Sequence, residues 1–176
     1  EPLAADLERV DVPYVARGRV EGEGPRFALG HTSGGLAALG RLLADDVDVR
    51  WALEPFFEGG TVFPAGTLLV ESSARRELEA LAIELGLSPR GVRARPPTLR
   101  LRAPRVGLYR SWVPSMDEGW TRWVIEQYDF PVVNLSNEQI RSGEFTGIVD
   151  VLLFPDVEAS VIARGEPGPS YWGRFV

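Results

Sequence analysis

The chain has 176 residues, 44% of them apolar and 25% charged, a mix that builds a globular core in one ordinary domain or two small ones. A formal net charge of -6 and a pI near 4.9 argue against nucleic acid, which is held by a cationic face. Cysteine is absent, histidine occurs once, and all 19 basic residues are arginine. That removes disulfides, thiolate metal sites and cysteine nucleophiles, and leaves His31 as the one imidazole for a zinc site or a Ser-His-acid triad. No cofactor is therefore expected in this chain. No run approaches the about 20 apolar residues that span a bilayer. The start, Glu1-Pro2-Leu3-Ala4, is acidic and lacks both an initiator Met and a basic n-region, and is read as the edge of a piece cut from a longer chain.

Residues 1–26 read as a connecting segment. Within it Asp11-Val12-Pro13-Tyr14-Val15 has the form of an edge strand, and the Gly-rich stretch from Gly18 to Pro25 that of a turn. A small α/β unit is expected over 27–103. Phe27 to Gly30 is a short apolar run, Ser33 an N-cap, and Leu36, Leu39, Leu42 and Leu43 one helical stripe. Val47, Val49, Trp51 and Leu53 alternate as a strand does. Glu54 to Gly60 reads as a loop, followed by a strand at Thr61–Phe63, a turn at Pro64–Gly66 and a strand at Thr67–Val70. Ser72 or Ser73 is expected to cap a helix with Leu78, Leu81, Ala82 and Leu85 on its inner face, closed by Gly86. Val92 to Leu101, broken by Pro96-Pro97, reads as short extended pieces and a linker. Arg90, Arg93, Arg95, Arg100, Arg102 and Arg105 are expected on the solvent face of short strands.

A second α/β unit is expected over 104–176. Arg105–Tyr109 reads as a strand, Ser115-Met116-Asp117-Glu118 as a capping box, and Trp120, Trp123, Val124 and Tyr128 as the stripe of the helix behind it. The Trp120/Trp123 pair is expected in the core. Phe130–Leu135 is the next strand. Ser136-Asn137-Glu138-Gln139 is a second capping box before a short helix ending at Gly143. Ile148–Phe154 is a nearly continuous apolar run, as in a buried parallel strand. Strands alternating with helices imply βαβ units and a mainly parallel sheet, here two units, the second about half of a flavodoxin-like sheet with an open edge.

In such sheets ligands bind beyond the carboxyl ends of the strands. Those positions are Arg110, Ser111 and Trp112 after one strand, Asn134 after the next, and Pro155-Asp156 after the third. Arg110 can hold a carboxylate by two hydrogen bonds, and Asp156 can take a hydroxyl or order a water. Ser111 and Asn134 can equally cap turns, with Trp112 packed on the sheet rim. No Gly-x-Gly-x-x-Gly follows any strand, and no lysine backs a phosphate loop. The loop Gly30-His31-Thr32-Ser33-Gly34-Gly35 reads as a turn with a capping serine; a base role for His31 with Ser33 lacks an orienting carboxylate.

The stretch from Pro104-Arg105-Val106-Gly107-Leu108-Tyr109-Arg110-Ser111-Trp112 through Ser115-Met116-Asp117-Glu118-Gly119-Trp120-Thr121-Arg122 to Leu152-Leu153-Phe154-Pro155-Asp156 resembles the class I glutamine amidotransferase-like domain that follows the catalytic domain in a group of bacterial zinc carboxypeptidase-like proteins of the carboxypeptidase A family. The residues from about 15 to 95 resemble the small α/β segment that separates the two domains there. The resemblance implies a secreted or periplasmic metallopeptidase as parent, with zinc in the parent's catalytic domain. The family's His-x-x-Glu zinc motif and the cysteine elbow of true glutamine amidotransferases have no counterpart here, so no catalytic residue is carried over. The expected function is a non-catalytic accessory region that packs on the parent's peptidase domain or positions its substrate. A second copy of the chain at the open sheet edge is a further expected partner. The alternative is a small-molecule or peptide binding module using the strand-end loops.

Overall fold

The structure, a computed structural model, describes Arg9, Asp11 and residues 17–164. The strand expected at Asp11–Val15 lies, Asp11 apart, outside the described residues, as does the chain beyond residue 164. Among the described residues the protein is mixed α/β, with a five-stranded antiparallel sheet, a three-stranded parallel sheet and a two-stranded hairpin. No helix among them is long and apolar enough to cross a membrane.

The first part of the chain runs β1 (Arg26–Leu29), α1 (Ser33–Ala44), β2 (Val49–Ala52), β3 (Phe56–Glu58), β4 (Thr61–Phe63), β5 (Leu68–Glu71), a 3-10 turn (Ser72–Ala74), α2 (Arg75–Leu85), β6 (Arg90–Val92) and β7 (Thr98–Arg100). The sheet order is β6-β1-β5-β2-β7, and every pairing in it is antiparallel. This corrects the expectation of a mainly parallel sheet. The segment β1-α1-β2 is a βαβ crossover, since both strands run against β5 and so with each other. They do not touch, because β5 is inserted between them and runs against both, while β6 and β7 run against β1 and β2 at the two edges.

Period-two alternation sends side chains to both faces of this sheet. Phe27, Leu29, Val49, Leu68 and Val70 point to one face and meet Ala38, Leu39 and Leu42 of α1 and Ala74, Leu78 and Leu81 of α2. Leu42, Leu68 and Leu78 are fully buried there, and each such side chain contributes about 1.5–3 kcal/mol through the area it removes from water. Ala28, Ala52, Leu69 and Val92 point to the other face and are covered by Phe56 and Phe63. Those two rings stack at 4.8 Å across the β3–β4 hairpin; β4 is the strand expected at Thr61–Phe63, while β3 lies in the stretch Glu54–Gly60 expected as a loop. The hairpin turns at Gly59-Gly60, whose φ values of 57° and 80° are the left-handed pair that a two-residue turn requires. Glu58 fastens it to the sheet by accepting hydrogen bonds from the Arg93 amide at 2.7 Å and the Ala94 amide at 2.6 Å.

Gly86 closes α2 with φ 66° and donates to the Ala82 carbonyl, as expected. Two local readings differ. Thr32, not Ser33, caps α1, its hydroxyl accepting from the Gly35 amide at 3.2 Å. The turn before α2 makes no side-chain cap at Ser72 or Ser73; a 3-10 turn fills that place. Thr98–Arg100, in the stretch expected as short extended pieces and a linker, is β7, an edge strand paired to β2.

The second part runs β8 (Val106–Tyr109), α3 (Met116–Gln127), β9 (Val132–Leu135), α4 (Asn137–Ser142), β10 (Val151–Leu153) and α5 (Ala159–Arg164). Its sheet has the order β10-β8-β9, and both pairings are parallel. The central strand β8 is wholly buried, whereas β10 is an edge strand with Val151 exposed, so the apolar run at 148–154 is parallel but not buried. At Gly107 a Cβ would lie 2.6 Å from a Leu135 methyl, so only glycine lets β8 and the side chains over it approach this closely.

The two sheets meet where α1 touches the turn between α3 and β9. Phe130 packs on the core of the first sheet. A Cβ on Gly40 would lie 1.8 Å from the Tyr128 carbonyl oxygen. Beside it Arg41 bridges Glu84 at 2.7 Å and Asp129 at 3.0 Å, and its hydrogen bonds to Glu84 first, then to Asp129, hold its pKa above the usual arginine value.

Candidate functional site

The carboxyl ends of β8, β9 and β10 gather the residues that the sequence marked. Arg110 follows β8 directly, its amide donating to the Leu135 carbonyl at 2.9 Å, and so continues the β8–β9 ladder by one residue. Asn134 is on β9, and Ser136 caps α4 in a complete capping box with Gln139. The loop after β8 and the loop after β9 enclose a crevice of about 510 Å³. Arg110, Ser111, Trp112, Asn134 and Glu138 all line it.

Asp156 is not in that crevice. It lines a neighbouring cleft of about 300 Å³ with Pro114, Asp117 and Glu158, and Ser111 sits on the wall between the two. The sequence reading placed Arg110, Ser111, Asn134 and Asp156 together; the structure brings the first three together and puts Asp156 beyond the Ser111 wall. Ser111 donates to the Val113 carbonyl at 2.6 Å, which is the turn-capping role, and so shapes the wall. Trp112 is not packed on the rim, being 84% exposed.

Next to Arg110 in the chain, Tyr109 is the largest fully buried side chain among the described residues. Its hydroxyl donates to Asn137 Oδ1 and lies 3.4 Å from the Val161 carbonyl, so it ties β8 to α4 and α5. Burial pushes the Tyr109 hydroxyl above its ordinary pKa, with Arg141 pulling the other way. Among the described residues, the Arg110 guanidinium and the Glu138 carboxylate have no ion pair or hydrogen-bond partner. Sequence reasoning missed Glu138, whose signal was its place inside the second capping box, directly after the β9 loop.

The helix α3 is a second departure. Ser115 caps it at 3.4 Å from the Glu118 amide, but the box is half made, because the Glu118 carboxylate turns to Arg122 at 3.2 Å. The face with Glu118, Thr121, Arg122 and Ile125 is the shielded one. Met116, Trp120, Trp123 and Val124 are exposed, with Trp120 and Trp123 edge to face at 5.8 Å. The Trp pair is therefore surface, not core.

The other loop offers less. His31 is exposed and lies against Trp51, with ring centroids 4.9 Å apart. Neither His31 nor Ser33 hydrogen-bonds the other, and Thr32 takes the cap. The arginine cluster is divided among separate partners, Arg90 with Glu21, Arg100 with Asp48 and Arg105 with Asp150. No group of three His, Cys, Asp or Glu side chains is placed to hold a metal among the described residues.

Comparison of the chain with protein-family models, with curated proteins and with solved structures found no match.

Proposed function

We propose that this chain is a non-catalytic accessory region of a secreted or periplasmic zinc carboxypeptidase-like protein, in which it packs on the peptidase domain or positions its substrate. In this reading residues 104–176 form a truncated flavodoxin-like half of a glutamine amidotransferase-like domain, and zinc belongs to the parent's catalytic domain. The resemblance over Pro104–Asp156 carries the proposal. The outward apolar stripe of α3 supports it, since contiguous exposed apolar surface of this kind marks a contact face. The outer edges of β9 and β10 supply a further place for a partner, the peptidase domain or a second copy of the chain.

Two measurements test it. The first is an assay of the chain with zinc added for peptidase and glutaminase activity; clear turnover overturns the non-catalytic reading. The second is the reading frame that encodes the chain. A His-x-x-Glu zinc motif in the same frame is expected, and a frame without one removes the peptidase parent.

Arg110, whose guanidinium has no partner among the described residues, favours a second reading, a binding module for small molecules or peptides at the strand-end loops. A thermal-shift screen with amino acids and peptides tests it, because a ligand that binds only the folded state raises the unfolding temperature.

A further inference from the structure

The order β10-β8-β9 means that the chain steps from β8 to β9 on one side, then returns across β8 to reach β10 on the other. Right-handed crossovers put the helices of two such opposite steps on opposite faces of the sheet. The loops leaving β8 and β9 therefore turn to opposite faces and leave a gap between them at the carboxyl edge of the sheet, the edge at which open parallel sheets hold their ligands. The crevice of about 510 Å³ lies at that gap, and its size is in the ~300–1,000 Å³ range of small-molecule sites.

Its chemistry narrows the ligand. Arg110, from the loop after β8, and Glu138, from the first turn of α4, both line it and are of opposite charge type. Arg26, Arg41, Arg75, Arg105 and Arg122 are neutralised by carboxylates of the chain itself; among the described residues Arg110, like Arg93, Arg95 and Arg102, has no such partner, and of these four it is Arg110 that lines this crevice. A guanidinium presents two parallel N–H donors to a carboxylate, and an opposite carboxylate accepts from an ammonium. A phosphate ester or a dicarboxylate would meet one cation and be repelled by Glu138. Asn134 adds an amide at the crevice, and the bare indole of Trp112 offers an apolar wall at its mouth.

The geometry points to a free α-amino acid with an apolar or aromatic side chain as the ligand of this crevice, its carboxylate on Arg110, its ammonium on Glu138 and its side chain against Trp112. This rests on the binding-module reading and is independent of the peptidase parent.

Calorimetric titration of the whole chain with phenylalanine, N-acetylphenylalanine and phenylalaninamide tests it. Free phenylalanine is expected to bind, and each capped compound to bind about tenfold or more weakly, since each loses one charge-assisted contact. Arg110→Gln is expected to abolish phenylalanine binding, and Glu138→Gln to bring phenylalanine and N-acetylphenylalanine to equal affinity. Circular dichroism checks that both variants fold. N-acetylphenylalanine binding the unaltered chain as tightly as phenylalanine overturns the amino-acid assignment while leaving a carboxylate-binding module. Phenylalanine binding that survives Arg110→Gln overturns the placement in this crevice. Heat from none of the three, with no stabilisation by peptides either, removes the binding module as well.

Discussion

Arg105 grips Asp150 by both its side chain and its backbone. Its Nη2 donates to Oδ1 at 3.0 Å, its Nε to Oδ2 at 3.1 Å, and its amide to the same Oδ2 at 2.9 Å. Its carbonyl in turn accepts from the Asp150 amide at 2.8 Å. The pair locks the start of β8 to the residue before β10, and so sets the register of the outer parallel pairing.

The Arg105 side chain, and after it the Arg105 amide, hold the Asp150 carboxyl well below the usual carboxylate range. A depressed acid binds fewer protons folded than unfolded as pH drops below its ordinary value of 3.8. The stabilisation is thus present above that value and lost as pH falls through the folded one. Asp150→Asn is expected to lower the urea midpoint at neutral pH. The gap between variant and unaltered chain is expected to narrow in acid; a gap constant with pH would contradict the linkage.

Gly40→Ala puts a methyl against the Tyr128 carbonyl, a backbone atom that cannot rotate away. The expected cost is about 1–3 kcal/mol, typical of overpacking, and it falls on the contact between the two sheets. Urea unfolding followed at the tryptophans reads it. A change under ~0.5 kcal/mol would mean that α1 and the α3–β9 turn separate easily.

A double-mutant cycle on Arg41 and Asp129 measures the ion pair beside that glycine. Both side chains are partly solvated, so the coupling is expected at about 0.2–1 kcal/mol and to shrink in high salt.

Tyr109→Phe removes a buried hydroxyl from between β8, α4 and α5, at an expected cost of about 0.5–1.5 kcal/mol. Burial raises its pKa, so above the ordinary value of 10.0 the unfolded chain releases this proton first. Stability is then lost as pH rises further, and the alkaline loss is expected to be smaller in Tyr109→Phe. Tyrosinate absorbance and denaturant midpoints together follow it.

Trp120→Ala and Trp123→Ala are expected to change stability by no more than about 0.5 kcal/mol, as surface substitutions do. Acrylamide quenching of the unaltered chain is expected to be strong. A loss of several kcal/mol would restore the pair to the core.

Local signals carried much of this architecture. The box at Ser136 and Gln139, the glycines at 86 and 143, and the strands at 106–109 and 132–135 were all written in residue type and spacing. Strand direction was not. Alternation at Val49 and Trp51 marks a strand but cannot say that β5, arriving later in the chain, will lie between β1 and β2. The α3 stripe failed for a related reason. Helical spacing of Trp120, Trp123, Val124 and Tyr128 defines one face, and only the packed sheet decides that Glu118 and Ile125 turn inward instead. At the crevice Arg110, Ser111 and Asn134 followed from strand ends alone, while Asp156 was separated by the Ser111–Val113 turn and Glu138 was hidden within a cap.

The pairing of β7 with β2 also dictates where the first sheet can be excised. Pro96-Pro97 invites a cut, yet the Leu53 amide donates to the Pro97 carbonyl and the Leu101 amide to the Val49 carbonyl, both at 2.9 Å. A recombinant piece ending at Arg95 would strip β2 of its neighbour and leave a bare strand beside Trp51, open to pairing with other chains. One ending after Leu101 would keep that strand covered.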